Sequence, residues 1–134
     1  MIDPDIRILV NSRLEQAAES LRVAELSLSA NAPRDTINRA YYAMFYAVLA
    51  LLAMKSEETS KHKGALLLFD MKFIKPGIFP KEFSTWLHDA FELRLDSDYA
   101  PLSHPSMEEA GETLTNARAF VSGIKAHLDS LLSQ

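Results

Sequence analysis

A long apolar segment in the first half of the chain constrains the fold more than any other feature. No charged residue occurs from Ala40 to Met54, and this stretch of fifteen residues is rich in alanine, leucine and methionine, which favour helix. A helix that is apolar on nearly all sides is either a membrane span or the centre of a soluble bundle. Fifteen uncharged residues that include three tyrosines are short for a span. The sequence therefore predicts the central helix of a soluble bundle.

The flanking segments have the spacing of amphipathic helices that would surround this centre. Apolar residues recur at steps of three and four in each of them, and no strand pattern or repeat appears. Asp3, followed by Pro4, is predicted to cap the first helix, and Ser60 is predicted to cap the third. Ser106 with Glu109 forms a capping box before the fifth. The predicted fold is all-α, an up-and-down bundle in one domain over residues 1–134. Its helices are predicted at residues 4–29, from Pro33 or Asp35 to 54, 61–74, from Pro80 to about 98, and 107–132.

Composition excludes several classes of chemistry. The 134 residues contain no cysteine, which rules out disulfides, thiolate nucleophiles and cysteine-based zinc sites. The four histidines do not have a metal-binding spacing and four scattered glycines make no phosphate loop, so we predict neither a metal nor a cofactor. The N-terminus lacks the features of a signal peptide, which predicts a cytoplasmic protein without a membrane contact.

Charge is distributed unevenly along the second half of the chain. Residues 61–81 hold five lysines and one aspartate, whereas residues 82–112 hold one arginine and eight carboxylates. Such asymmetry can steer a charged ligand or partner, although two solvated faces would produce the same pattern.

Two polar groups could carry chemistry. Arg39 and Tyr42 share one face at the start of the central helix, and Arg94, Asp98 and Tyr99 cluster at the end of the fourth. Arginine is well shaped for bidentate phosphate binding, and a tyrosine beside it can stack on a base, donate a hydrogen bond or accept a transferred group. A snorkelling arginine and an ordinary salt bridge at a helix end are the alternatives. His62, in Lys61-His-Lys-Gly64, is a further candidate for holding an anion.

Three motifs in order resemble the HEPN superfamily over nearly the whole chain. They are Arg39-Ala-Tyr-Tyr-Ala-Met-Phe45, Lys61-His-Lys-Gly64, and Phe91-Glu-Leu-Arg94 followed by Asp98-Tyr99. More narrowly, the chain resembles small prokaryotic HEPN proteins with an Arg-x-Tyr-Tyr-Ala-x-Phe helix, of the kind paired with minimal nucleotidyltransferases.

This resemblance implies a helical bundle that is often a dimer and that acts with a nucleotidyltransferase as a toxin–antitoxin pair. Active members are metal-independent endoribonucleases, in which an arginine and a histidine separated by four to six residues promote attack of a ribose 2′-hydroxyl on the adjacent phosphate. Their cleft lies at the dimer interface. In some pairs the antitoxin adenylylates a tyrosine close to this motif.

Carried onto this sequence, the resemblance assigns Arg94 as the motif arginine, but Tyr99 stands where the histidine would begin to be expected. The next histidine, His104, lies outside the spacing. Tyrosine, with a pKa near 10, is a poor general base at neutral pH, so ribonuclease activity stays open. We predict Arg94 and Tyr99 as catalytic residues, with Arg39, Tyr42, His62 and Asp98 as binding residues.

Three functional hypotheses remain. The first is a toxin or regulatory subunit paired with a nucleotidyltransferase, which binds RNA or nucleotide phosphate at a cleft centred on Arg94. The second is a catalytically inactive, dimeric module that binds a nucleotide or a protein, and the third is a structural helical protein without a ligand. We expect a homodimer that buries part of the fourth helix, where Phe91, Leu93 and Leu95 place apolar residues on more than one side.

Overall fold

A computed structural model describes residues 2–59, 61–99 and 104–133, and within these ranges it contains helices and no strand. The all-α prediction is confirmed, and the helix bounds agree closely with those expected from periodicity. The five α-helices are α1 (Pro4–Ser29), α2 (Pro33–Met54), α3 (His62–Phe69), α4 (Lys81–Tyr99) and α5 (Met107–Leu132).

Helix α2 is the centre of the bundle, as its composition predicted. It packs against α1, α3, α4 and α5, and thirteen of its residues are buried. By length and composition alone it could cross a membrane, but 67% of its most apolar window is buried inside the bundle. Its apolar surface is therefore covered by the chain's own helices, which is the arrangement of a core helix.

The predicted cap residues lie at the N-termini of the two longest helices, α1 and α5. The Asp3 carboxylate accepts a hydrogen bond from the amide of Asp5 at 2.8 Å, so α1 begins at Pro4. Ser106 and Glu109 satisfy each other's amides at 3.0 Å, which is the predicted capping box of α5. The predicted cap at Ser60 lies outside the described residues, and α3 begins directly after Lys61.

The third helix differs from the continuous α-helix predicted over residues 61–74. It is α-helical to Phe69 and then π-helical over Asp70–Ile74, with the amide of Lys75 donating to the carbonyl of Asp70 at 2.8 Å. The Asp70 carboxylate is held by α4, where it accepts from the Ser84 hydroxyl at 2.7 Å and lies 2.7 Å from Nε2 of His88. Spacing alone did not reveal this turn, because the buried residues Leu66, Phe69 and Phe73 recur through it at the steps of three and four that are typical of an α-helix.

The apolar residues of α4 that suggested a dimer contact are used mainly within the bundle. Phe91 is buried in the core, and Leu95 is partly buried against it. Leu93 lines a groove between α4 and α5. The dimer stays a prediction, but these three side chains no longer supply an exposed apolar face for it.

Candidate functional site

Arg94 lies inside a box of aromatic rings between α2 and α4. The residue is only 8% exposed, and its guanidinium carbon is 5.3, 5.5 and 5.8 Å from the ring centres of Tyr41, Tyr42 and Phe91. Its Nη1 donates to the Tyr42 hydroxyl at 3.1 Å and lies 3.8 Å from the Asp98 carboxylate. These contacts leave Nε buried without a hydrogen-bond partner among the described residues. Such an atom is costly in a folded protein unless a ligand or water satisfies it.

Arg39 approaches the same tyrosine ring from its own helix. Its guanidinium carbon is 4.9 Å from the centre of the Tyr42 ring, and its Nε and Nη2 donate to the Asn38 side-chain oxygen at 3.0 and 2.7 Å. The Asn38 amide in turn donates to the Asp98 carboxylate at 3.4 Å. Tyr42 therefore has guanidinium groups from two helices near its ring, and Asp98 is the carboxylate that links them.

His62 joins this cluster from the first turn of α3. Its Nδ1 lies 2.7 Å from the Tyr41 hydroxyl, and its ring stacks on Phe45 with 4.2 Å between ring centres. The same ring forms a T-shaped contact with Tyr42, with 5.6 Å between the ring centres. Burial lowers the pKa of His62, and the positive charge of Arg94 lowers it further, so the imidazole is neutral at pH 7.

Tyr41 is the member of the site that sequence reasoning missed. Only its neighbour Tyr42 was assigned to the site from the sequence, yet Arg94 contacts both rings. Tyr41 is fully buried, and this burial raises the pKa of its phenol well above the usual range, although nearby Arg94 opposes the shift. The available signal was the Tyr-Tyr pair itself, because adjacent helical residues lie about 100° apart and one inserted side chain can contact both.

Tyr99 does not belong to the buried layer. It is the last residue of α4 and is 73% exposed, although its neighbour Asp98 takes part in the cluster. His104, the next histidine along the chain, lines a groove with Pro33 and Asp35 at the start of α2. The structure thus brings together Arg39, Tyr42, His62, Arg94 and Asp98 and leaves Tyr99 on the surface beside them.

The arrangement suits an anionic ligand better than a metal ion. In residues 2–59, 61–99 and 104–133, no group of three or more histidine, aspartate or glutamate side chains is placed to hold a metal. Two guanidinium groups and a neutral imidazole are donors, and arginine pairs well with phosphate oxygens.

Comparison with known sequences identifies the family. The HEPN domain family matches residues 10–127, which is most of the chain. This chain belongs to the HEPN domain family.

Several HEPN relatives match along most of their length. A protein of Methanocaldococcus jannaschii named "Putative toxin MJ0605" is 31% identical over 98% of both chains. A Thermotoga maritima protein named "UPF0332 protein" is 34% identical over 87% of this chain and 88% of its own length. A second M. jannaschii protein, named "Putative toxin MJ0142", is 32% identical over 87% of this chain and 80% of its own.

Proposed function

We propose that this HEPN chain is a toxin, or a regulatory subunit, of a toxin–antitoxin pair with a nucleotidyltransferase, and that it binds RNA or nucleotide phosphate at Arg94. The observation that carries the proposal is the state of Arg94, a buried arginine whose Nε lacks a partner within the described part of the chain. A purely structural arginine would be expected to have its donors satisfied, because an unpaired buried donor costs about 1–3 kcal/mol. A phosphate group would supply the missing acceptors.

The names of two relatives support the toxin half of the proposal. Both M. jannaschii proteins carry the name "Putative toxin", and they match this chain over at least 80% of their own lengths. In a ribonuclease of this kind, a ribose 2′-hydroxyl gives up its proton and attacks the adjacent phosphate, and the bond from phosphorus to the 5′-oxygen of the next nucleotide breaks. That oxygen leaves as a hydroxyl after taking up a proton, a cyclic phosphate remains, and negative charge accumulates on the phosphoryl oxygens during the step. Arg94, assisted by Arg39 across the Tyr42 ring, is suited to stabilise that charge.

A catalytically inactive binding module is the second candidate. It is favoured by the sequence after Arg94, which has Tyr99 where the family motif would begin to allow its histidine. In this form the same cluster would hold a nucleotide or an RNA phosphate without cleaving it, in a dimeric scaffold.

The partner half of the proposal concerns Tyr99. Its 73% exposure leaves the hydroxyl open to an enzyme that transfers a nucleotidyl group. Co-expression with a minimal nucleotidyltransferase should add the mass of a nucleotide to the wild-type chain and not to Tyr99→Phe. An unmodified wild-type chain would contradict this part. We further propose that the protein is cytoplasmic and forms a homodimer. A sedimentation experiment that shows a monomer at all concentrations would refute the dimer.

Growth and RNA cleavage test the central claim together. Wild type, Arg94→Ala and the control Arg118→Ala should be expressed in a bacterial host and then purified and incubated with end-labelled RNA. Arg118 is a matched arginine, because it is half exposed and pairs only with surface Glu25 at 3.0 Å among its described contacts. The proposal expects growth arrest and RNA fragments with cyclic phosphate ends from wild type and Arg118→Ala, and neither from Arg94→Ala.

The remaining outcomes distinguish the two candidates. RNA or nucleotide binding that depends on Arg94, without cleavage or growth arrest, would favour the inactive module. Equal behaviour of wild type and Arg94→Ala in growth, cleavage and binding would refute both.

A further inference from the structure

The hydrogen bond between His62 and Tyr41 has a direction that burial determines. Tyr41 is completely buried, and its hydroxyl has Nδ1 of His62, at 2.7 Å, as its hydrogen-bond partner among the described residues. A buried hydroxyl proton needs an acceptor, since leaving it unpaired costs about 1–3 kcal/mol. The hydroxyl therefore donates, and Nδ1 of His62 accepts.

This direction determines where the imidazole carries its own proton. A neutral imidazole holds one proton, and when Nδ1 is the acceptor that proton resides on Nε2. Protonation of Nδ1 would make the Tyr41 oxygen the acceptor and leave its buried hydroxyl proton without a partner among the described residues. The positive charge of Arg94 on α4 also opposes protonation of the ring, because it lowers the pKa of His62.

The two nitrogens lie on either side of the Cε1 atom, so Nε2 is turned away from the buried hydroxyl when Nδ1 faces it. His62 is partly exposed, and its Nε2 is not one of the buried side-chain atoms that lack a partner in the described structure. The His62 ring forms a T-shaped contact with Tyr42, and the Tyr42 hydroxyl accepts a hydrogen bond from Arg94. The Nε2 proton is therefore an available donor on a ring that contacts Tyr41 and Tyr42, the two tyrosines that Arg94 also contacts.

We propose that Tyr41 fixes His62 as a neutral imidazole whose Nε2–H is a hydrogen-bond donor to the phosphate held at Arg94. His62 then acts as a binding residue and not as a replacement for the missing motif histidine, because an Nε2 that already carries its proton cannot accept another. Tyr41 is a positioning residue that acts through His62. This inference rests on the proposed phosphate site and adds to it a second donor from α3.

Two substitutions of His62 by an amide side chain distinguish the role of Nε2 from that of Nδ1. Glutamine can place its NH2 group near the position of Nε2, whereas asparagine reaches only to the position of Nδ1. With a short single-stranded RNA as the probe, we expect His62→Asn to weaken binding by about 10-fold or more, as for the loss of a hydrogen bond to a charged group. His62→Gln should retain most of the affinity. His127→Asn is the control, because that histidine contacts Phe79 outside this cluster.

Nitrogen NMR of the imidazole provides a readout that does not depend on any ligand. In the folded wild-type chain, the His62 signals should show a protonated Nε2 and an unprotonated Nδ1 at neutral pH. In Tyr41→Phe the two tautomers should mix, and the titration midpoint of His62 should move upward because Nδ1 is then free to take a proton.

Each outcome leads to one conclusion. A protonated Nδ1 in the wild-type spectrum, or RNA affinity unchanged in His62→Asn while Arg94→Ala abolishes it, would overturn the role of His62 and leave the proposed function intact. Failure of the wild-type chain to bind RNA would overturn the phosphate site and the inference with it. Circular dichroism of every variant checks that lost affinity does not reflect unfolding.

Discussion

Replacing Arg94 by methionine separates a ligand-binding arginine from a structural one. Methionine is unbranched, flexible and uncharged, so Arg94→Met removes the guanidinium and places apolar atoms in the space between Tyr41, Tyr42 and Phe91. If the cluster is built for a ligand, the free energy of unfolding should change by no more than about 1 kcal/mol, because the native contacts of Arg94 only balance the cost of burying it.

The magnitude follows from the contacts. The hydrogen bond to Tyr42 contributes about 1 kcal/mol. The pair with Asp98 is long at 3.8 Å, and that carboxylate is about a third exposed, so it contributes less than about 1 kcal/mol. The ring contacts add about 0.5–1 kcal/mol each. Against these terms stand the unpaired Nε, at about 1–3 kcal/mol, and the apolar burial that methionine gains, at about 1.5–3 kcal/mol.

Urea unfolding followed by far-ultraviolet circular dichroism measures this change. Leu87→Ala is the positive control, since Leu87 is fully buried in the core and its truncation should cost about 2–5 kcal/mol. A loss of more than about 3 kcal/mol in Arg94→Met would show that Arg94 is a structural buried charge, and the argument for a ligand would fail. An unchanged stability together with lost RNA binding is the expected result.

Three further predictions concern helix packing, a helix cap and the pH dependence of stability. Gly123→Ala should destabilise the protein by about 1–3 kcal/mol, because its new Cβ would lie 2.7 Å from the Phe83 ring. Gly111→Ala, in open space on the same helix, should stabilise it by about 0.5–1 kcal/mol, and thermal unfolding that shows no difference between the two variants would contradict the packing. Ser106→Ala should cost about 1 kcal/mol in urea unfolding through the lost capping box, and an unchanged midpoint would count against that cap. The pKa of His62 is lower in the folded chain than in the unfolded chain, so the unfolded chain binds more protons and the free energy of unfolding should fall as the pH drops below about 6.5. His62→Gln should reduce this pH dependence of stability, and identical pH profiles for the wild type and the variant would refute the prediction.

The helices were predictable because their signals are local. The uncharged stretch of α2, the periodicity of α1 and α5, and the caps at Asp3 and Ser106 act within a few residues of each other, and the structure confirms them. The π-helical turn after Phe69 was not predicted, because no local signal marks it; its first residue, Asp70, is instead held by Ser84 of α4, fourteen residues later.

In the candidate site too, contacts within one helix were predictable from the sequence and contacts between helices were not. The sequence alone supplied the family resemblance and the pairing of Arg94 with Asp98 one helical turn away. Only the packing of the helices placed Arg94 against Tyr42, 52 residues earlier, and His62 against Tyr41, 21 residues earlier. Contacts of this kind depend on the crossing of helices and on the burial that follows, and these determine which nitrogen of His62 carries a proton and which nitrogen of Arg94 lacks a partner.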